Sequence, residues 1–123
     1  MSYEVVVLPS AHGDFKELAE LDREAARVAL RLASDLKENP WLGDEMRARR
    51  GLEELHDCRK IRFDRDGWTD KPRFRLVYRN EPSDGAPHII AVLAVAQRAN
   101  LGAYRRAKGR LVDRLLALGE TEP

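Results

Sequence analysis

Three short runs decide the fold: C-R-K-I-R-F at 58–63, F-R-L-V-Y at 74–78 and I-I-A-V-L-A-V-A at 89–96. Cys58, Lys60 and Arg62 alternate with Arg59, Ile61 and Phe63, as in a strand with one polar and one packed face. Arg73, Arg75, Val77 and Arg79 alternate in the same way with Phe74, Leu76 and Tyr78. Between these runs, residues 64–72 are rich in turn formers and form the hairpin loop. His88 to Ala96 is apolar on both faces, which predicts a central strand covered on both sides. Arg98 follows that strand, and Tyr104 lies six residues further on. On such a sheet Lys60, Arg62, Arg75, Arg98 and Tyr104 are placed to converge. Four cations and a phenol on a rigid sheet form a set suited to handling phosphate.

Working outward, Tyr3 to Leu8 is rich in β-branched residues and predicts an opening strand. Pro9 ends it, and Ser10 is positioned to cap a helix over about residues 11–21. Asp22 is positioned to cap a second helix, whose apolar stripe is Ala25, Val28, Ala29, Leu32 and Leu36. Asn39-Pro40 stops that helix. Residues 41–52 have little periodicity and predict a loop, with Arg47, Arg49 and Arg50 solvated rather than touching RNA. Asn100 is positioned to cap a last helix carrying Tyr104, Leu111, Leu115 and Leu118. The order β-α-α-β-β-β-α predicts an α+β fold: a small, mostly antiparallel sheet with an N-terminal helical hairpin on one face and a C-terminal helix. No repeat or second domain is visible, so residues 1–123 are expected to form one domain with a disordered tail.

The chain has 123 residues, 43% hydrophobic and 35% charged. That composition fits a globular protein with its own core. One cysteine allows no internal disulfide, and the N-terminus has no signal-peptide pattern, so a cytoplasmic location is expected. The longest apolar run is too short to cross a bilayer as a helix, so no membrane association is expected. A net charge of +1 hides an asymmetry: residues 58–79 carry 8 basic and 3 acidic groups, and residues 98–110 carry 5 basic groups and no acid. Two basic blocks therefore bracket the apolar strand, a local field that favours an anionic ligand. His12, His56 and His88 lack ligand spacing, so no metal or other cofactor is expected. His56, next to the first strand run, is a candidate accessory acid or base. Cys58 fits a half-buried strand cysteine, and Trp68 fits a hairpin tip or a stacking contact.

With these runs in order, the sequence resembles the RelE/ParE superfamily of bacterial toxins, and its RelE branch more closely. The resemblance rests on L-H-D-C-R-K-I-R-F at 55–63, F-R-L-V-Y at 74–78 and A-V-A-Q-R-A-N-L-G-A-Y at 94–104. It implies a RelE-like fold and a toxin of a type II toxin–antitoxin system. The implied activity is ribosome-dependent endoribonuclease cleavage of mRNA in the A site, by metal-free attack of a 2′-hydroxyl on the adjacent phosphate. The implied catalytic set is Lys60, Arg62, Arg75, Arg98 and Tyr104. Arg59, Arg73, Arg79 and Arg105 are the candidates for general RNA contacts. The implied partners are a cognate antitoxin, mRNA and the ribosome with its rRNA. Alternatives within the superfamily are a ParE-like gyrase inhibitor and a non-catalytic antitoxin-binding homologue.

Chemistry supports these roles. In-line transfer needs a base for the 2′-hydroxyl, stabilisation of the equatorial oxygens and help for the leaving 5′-oxygen. Arginine keeps its proton, so Arg62, Arg75 and Arg98 suit phosphate binding rather than base catalysis. Lys60 is the base candidate, because neighbouring cations favour a neutral amine. Tyr104 is expected to stack on or orient a nucleobase. Two features depart from the family pattern: Arg62 stands where the family has a second lysine, and the 64–72 loop is longer than the usual tight turn.

Overall fold

The computed structural model describes residues 3–46 and 53–119. Arg47, Arg49, Arg50 and the tail expected to be disordered lie outside the described residues. Five strands form one sheet in the order β1-β5-β4-β3-β2: β1 (Glu4–Val7), β2 (Asp44–Glu45), β3 (Cys58–Phe63), β4 (Phe74–Glu81) and β5 (Ile89–Gln97). Only β1 against β5 is parallel; the other pairs are antiparallel. Helices α1 (Pro9–Leu21) and α2 (Arg23–Asp35) join β1 to β2, and α3 (Gly102–Leu118) follows β5.

The two sheet faces support two separate cores. Alternation sends Ile61, Phe63, Phe74, Leu76 and Tyr78 toward α1 and α2, where they meet Leu18, Val28 and Leu36. The opposite face sends Cys58, Val77, Leu93 and Ala94 toward α3, against Ala103, Tyr104, Ala107 and Leu111. Each fully buried leucine or isoleucine side chain contributes roughly 1.5–3 kcal/mol. The eight-residue apolar run is therefore the strand covered on both sides, as its composition predicts.

In β5, Val92 and Val95 face the same core although they are three positions apart. One extra residue, Leu93, resets the alternation opposite the Val77–Tyr78 step. Such a bulge leaves a backbone group outside the ladder. Here the Leu93 carbonyl accepts a hydrogen bond from Arg110 Nη1 of α3 at 3.0 Å. Asp14 of α1 binds the Val95 N–H at 3.0 Å and also pairs with Arg106 and Arg110. Arg114 reaches the buried Glu81, which Arg79 also holds. Three arginines at four-residue spacing thus fasten α3 to α1, β4 and β5.

Several local expectations change. The 41–52 segment is not all loop, because Asp44–Glu45 pairs with Lys60 and Arg59 as an edge strand. Gly43 permits this, since a Cβ there would sit 2.7 Å from the Lys60 carbonyl oxygen. Ser10 does not cap α1: Pro9 takes the first helical position, where its missing N–H costs nothing. Asn100 does not cap α3 either, because Leu101 is the capping residue and provides no side-chain acceptor. Asp22 does cap α2, its carboxylate accepting from Ala25 N–H at 3.1 Å. Leu118 at the end of α3 is exposed rather than packed.

Candidate active site

β3 and β4 set two basic residues side by side, with Arg62 directly opposite Arg75 and Lys60 opposite Val77. The Arg98 N–H donates to the Arg73 carbonyl at 2.7 Å, fixing the end of β5 to the start of β4. The chain then reverses through Ala99–Leu101 into α3. Asn100 and Leu101 both take left-handed backbone conformations, with φ of 56° and 58°. For a leucine this costs about 1 kcal/mol or more, offset by the packing of α3. The sharp turn brings Arg98 and Tyr104 over the same end of the sheet as Lys60, Arg62 and Arg75.

The resulting cleft has a volume of about 620 Å³ and is lined by Lys60, Arg62, Lys71, Pro72, Arg75, Arg98, Ala99, Leu101 and Tyr104. Five of these nine side chains are cationic and none is acidic. A cleft lined by one sign of charge concentrates ligands of the opposite sign. All five residues of the expected catalytic set reach it. A separate hollow of about 300 Å³ beside α1 differs in kind, because its Asp14 and Glu17 are already paired with Arg106.

Arg75 is buried and held rigidly. Its Nε donates to the Tyr104 hydroxyl at 3.2 Å, and Nη1 donates to the carbonyls of Pro72 at 3.0 Å and Phe74 at 2.8 Å. Nη2 makes no hydrogen bond among the described residues and is not sealed from solvent. Both of its N–H groups therefore remain for a ligand. The Lys60 amine lies 5.8 Å from the centre of the Tyr104 ring, within cation–π range. Arg62 and Arg98 are exposed, and their side chains have no carboxylate partner among the described residues.

Tyr104 differs from its expected role. Its ring is only 2% exposed, packed among Val77, Leu93 and Leu111, so it has no open face on which a base can stack. Its hydroxyl positions Arg75 instead. Three of the four general RNA candidates are also committed elsewhere. Arg59 pairs with Asp84 and Glu45, and Arg73 pairs with Asp64 and Asp22. Arg79 is buried between Asp57 and Glu81. These pairs are invisible in the sequence because most partners are distant in the chain. Arg105 is exposed on α3. His56 is exposed in the turn before β3 and does not line the cleft.

Asp64 and Asp22 anchor the hairpin loop. Asp64 accepts from the Arg73 backbone and guanidinium, and Asp22 accepts from Arg65 and Arg73. Burial opposes ionisation of both carboxyls, but these hydrogen bonds outweigh it and hold both below the usual aspartate range. Cys58 is fully buried rather than half-buried. Burial and then the Asp57 carboxylate push its thiol up, which leaves it a poor nucleophile. Lys71 carries no signal in the sequence beyond being one lysine in a turn-rich run, and only the folded loop brings it to the cleft. Among the described residues, no three His, Cys, Asp or Glu side chains are grouped to hold a metal ion. Nor is any described helix long and apolar enough to cross a membrane.

This sheet, with a helical hairpin on one face and a terminal helix on the other, matches a solved structure of the E. coli toxin RelE. That structure is of an arginine-to-alanine double mutant in the free state. The TM-score is 0.59 with 21% sequence identity, covering 90% of this chain and 99% of the RelE chain. The fold is that of RelE. No protein-family model and no curated protein matches the sequence. In this RelE fold the basic cleft occupies the part of the sheet face that α3 leaves open.

Proposed function

We propose that this chain is the toxin of a type II toxin–antitoxin system, an endoribonuclease that cuts mRNA in the ribosomal A site. The observation that carries this reading is the basic cleft, in which Lys60, Arg62, Arg75 and Arg98 line one space beside Tyr104 with no acidic side chain among the described lining residues. The likeness to RelE supports the fold on which the reading depends.

The reaction follows from the residue types. Lys60, as the neutral amine, takes the proton of the ribose 2′-hydroxyl while its oxygen attacks the adjacent phosphorus. Arg75 Nη2 and Arg62 bind the equatorial oxygens, where charge builds in the transition state. The bond from phosphorus to the 5′-oxygen breaks, leaving a 2′,3′-cyclic phosphate. Arg98 stabilises the departing 5′-oxygen as a fixed cation while solvent supplies the proton, since a guanidinium is too weak an acid to do so. Tyr104 positions Arg75 and does not stack. The expected partners are the ribosome with its mRNA and a cognate antitoxin that masks the basic face.

Primer extension on mRNA from cells expressing the wild type and Arg75→Ala tests this reading. The wild type should give cleavage at fixed positions within codons, and Arg75→Ala should abolish it. Intact mRNA accompanied by gyrase-trapped DNA breaks would transfer the chain to the gyrase-inhibiting class. Full cleavage by Arg75→Ala would remove the proposed site.

A further inference from the structure

The basic cleft does not end at Arg98. A second hollow of about 280 Å³ adjoins it and shares Lys71, Pro72, Arg98 and Ala99 with it as a common wall. Arg73 and Gln97 complete the second hollow, so it too contains no acid among the described residues. Arg73 is committed to Asp22 and Asp64. Lys71 and Arg98 are exposed, and neither side chain has a carboxylate partner among the described residues. Two uncommitted cations therefore stand where the two hollows meet.

Lys71 is not on a loose loop. Arg31 pairs with Asp66, Arg65 with Asp22 and Arg73 with Asp64, tying both ends of the 64–72 segment to the helical hairpin and to each other. The Arg73 guanidinium lies 3.9 Å from the centre of the Trp68 ring, and the Trp68 indole N–H donates to the Lys71 carbonyl at 3.2 Å. The next residue, Pro72, offers its carbonyl to Arg75 Nη1. The backbone of Lys71 is thus fixed on one side by Trp68 and on the other by the arginine that faces the phosphate space. Fixing the backbone lowers the entropy lost when the amine binds an anion.

We infer that Lys71 is a further RNA-binding residue: it holds the phosphate next to the scissile one as the strand passes from the cleft into the second hollow. The extended loop, which makes this chain depart from the tight-turn pattern, carries that cation to the shared wall. Two adjoining basic hollows that share a wall offer places for successive phosphates of one strand, and a lysine serves a phosphate as a point charge without demanding a fixed geometry. The inference rests on the nuclease reading above and adds a subsite to it.

The test is single-turnover cleavage on ribosomes programmed with a short mRNA, either natural or carrying a neutral methylphosphonate at one phosphate flanking the scissile linkage. Lys71→Ala should cut natural mRNA about tenfold more slowly, and Lys71→Arg should stay near the wild type. The methylphosphonate should slow the wild type by a similar factor at one flank only, and should not slow Lys71→Ala further there. Because Lys71 is exposed, unchanged thermal melting will show that Lys71→Ala folds. Equal cleavage by Lys71→Ala and wild type, or losses that multiply at both flanks, would overturn the subsite and leave the nuclease reading intact. A wild type that cuts none of these mRNAs would overturn both.

Discussion

The Tyr104 hydroxyl, on α3, accepts a hydrogen bond from Arg75 Nε, on β4, at 3.2 Å. The bond crosses from helix to sheet, and both side chains are buried. It takes one edge of the guanidinium while the backbone carbonyls of Pro72 and Phe74 take Nη1, so only Nη2 faces outward. The arginine is therefore oriented before any ligand arrives, which is how a binding group avoids reorganisation during reaction. α3 is in this sense part of the proposed site as well as a cover for the second core.

Tyr104→Phe removes that acceptor and leaves the ring in place. A hydrogen bond to a charged group is worth about 1.5–3 kcal/mol, so stability should fall by about that amount or less. Cleavage should fall roughly tenfold or more as Arg75 loses its fixed orientation. Single-turnover cleavage beside thermal denaturation checks both. Full activity in a destabilised protein would show that Tyr104 is purely structural.

Gly43→Ala should act on the site from a distance. The added Cβ would lie 2.7 Å from the Lys60 carbonyl oxygen and 3.0 Å from the Tyr78 ring. Overpacking of this kind costs about 1–3 kcal/mol. It should also push β2 off β3, because Asp44 pairs with Lys60 at that point. The Tyr78 hydroxyl, whose pKa burial pushes up to about 12, would lose its contact with the Gly43 N–H. Faster amide exchange along residues 58–63 is the expected signature, and unchanged protection there would refute the coupling.

Acid sensitivity should centre on the hairpin loop. Asp64 and Asp22 have folded-state pKa values below their unfolded ones, because arginine and backbone hydrogen bonds outweigh the cost of burial. A depressed carboxyl contributes stability that is fully present above its unfolded pKa and is lost as pH falls through the folded one. Stability should therefore hold down to the ordinary aspartate value of about 3.9 and decline below it. Asp64→Asn should flatten that decline and lower stability at neutral pH. Urea denaturation followed from pH 7 to pH 3 would detect the difference, and parallel curves for the two proteins would rule Asp64 out as its source.

Much of the fold is legible in local patterns. Alternation fixes β3 and β4, the apolar run fixes β5, and the stripe from Ala25 to Leu36 fixes α2, because these patterns report which face is buried. Alternation also sets Lys60, Arg62 and Arg75 on one sheet face, whereas Arg98 and Tyr104 reach the cleft through the reversal at Ala99–Leu101. Shorter elements escape this reading. β2 has two residues, and its pairing depends on Gly43 allowing close approach to Lys60, a contact between distant parts of the chain.

The sequence by itself determined which residues are basic, which strand faces they occupy and that two basic blocks flank the buried strand. Only the tertiary structure decided which of those cations remain available. Arg73 and Arg79 alternate with Arg75 on one strand face in the sequence, yet both are paired with carboxylates, mostly far along the chain. Tyr104 is likewise a site residue in the sequence, and packing alone turned it from an open ring into the group that holds Arg75. The physical reason is common to both: charge and aromaticity are properties of a residue, whereas pairing and burial are properties of the neighbours that folding brings to it.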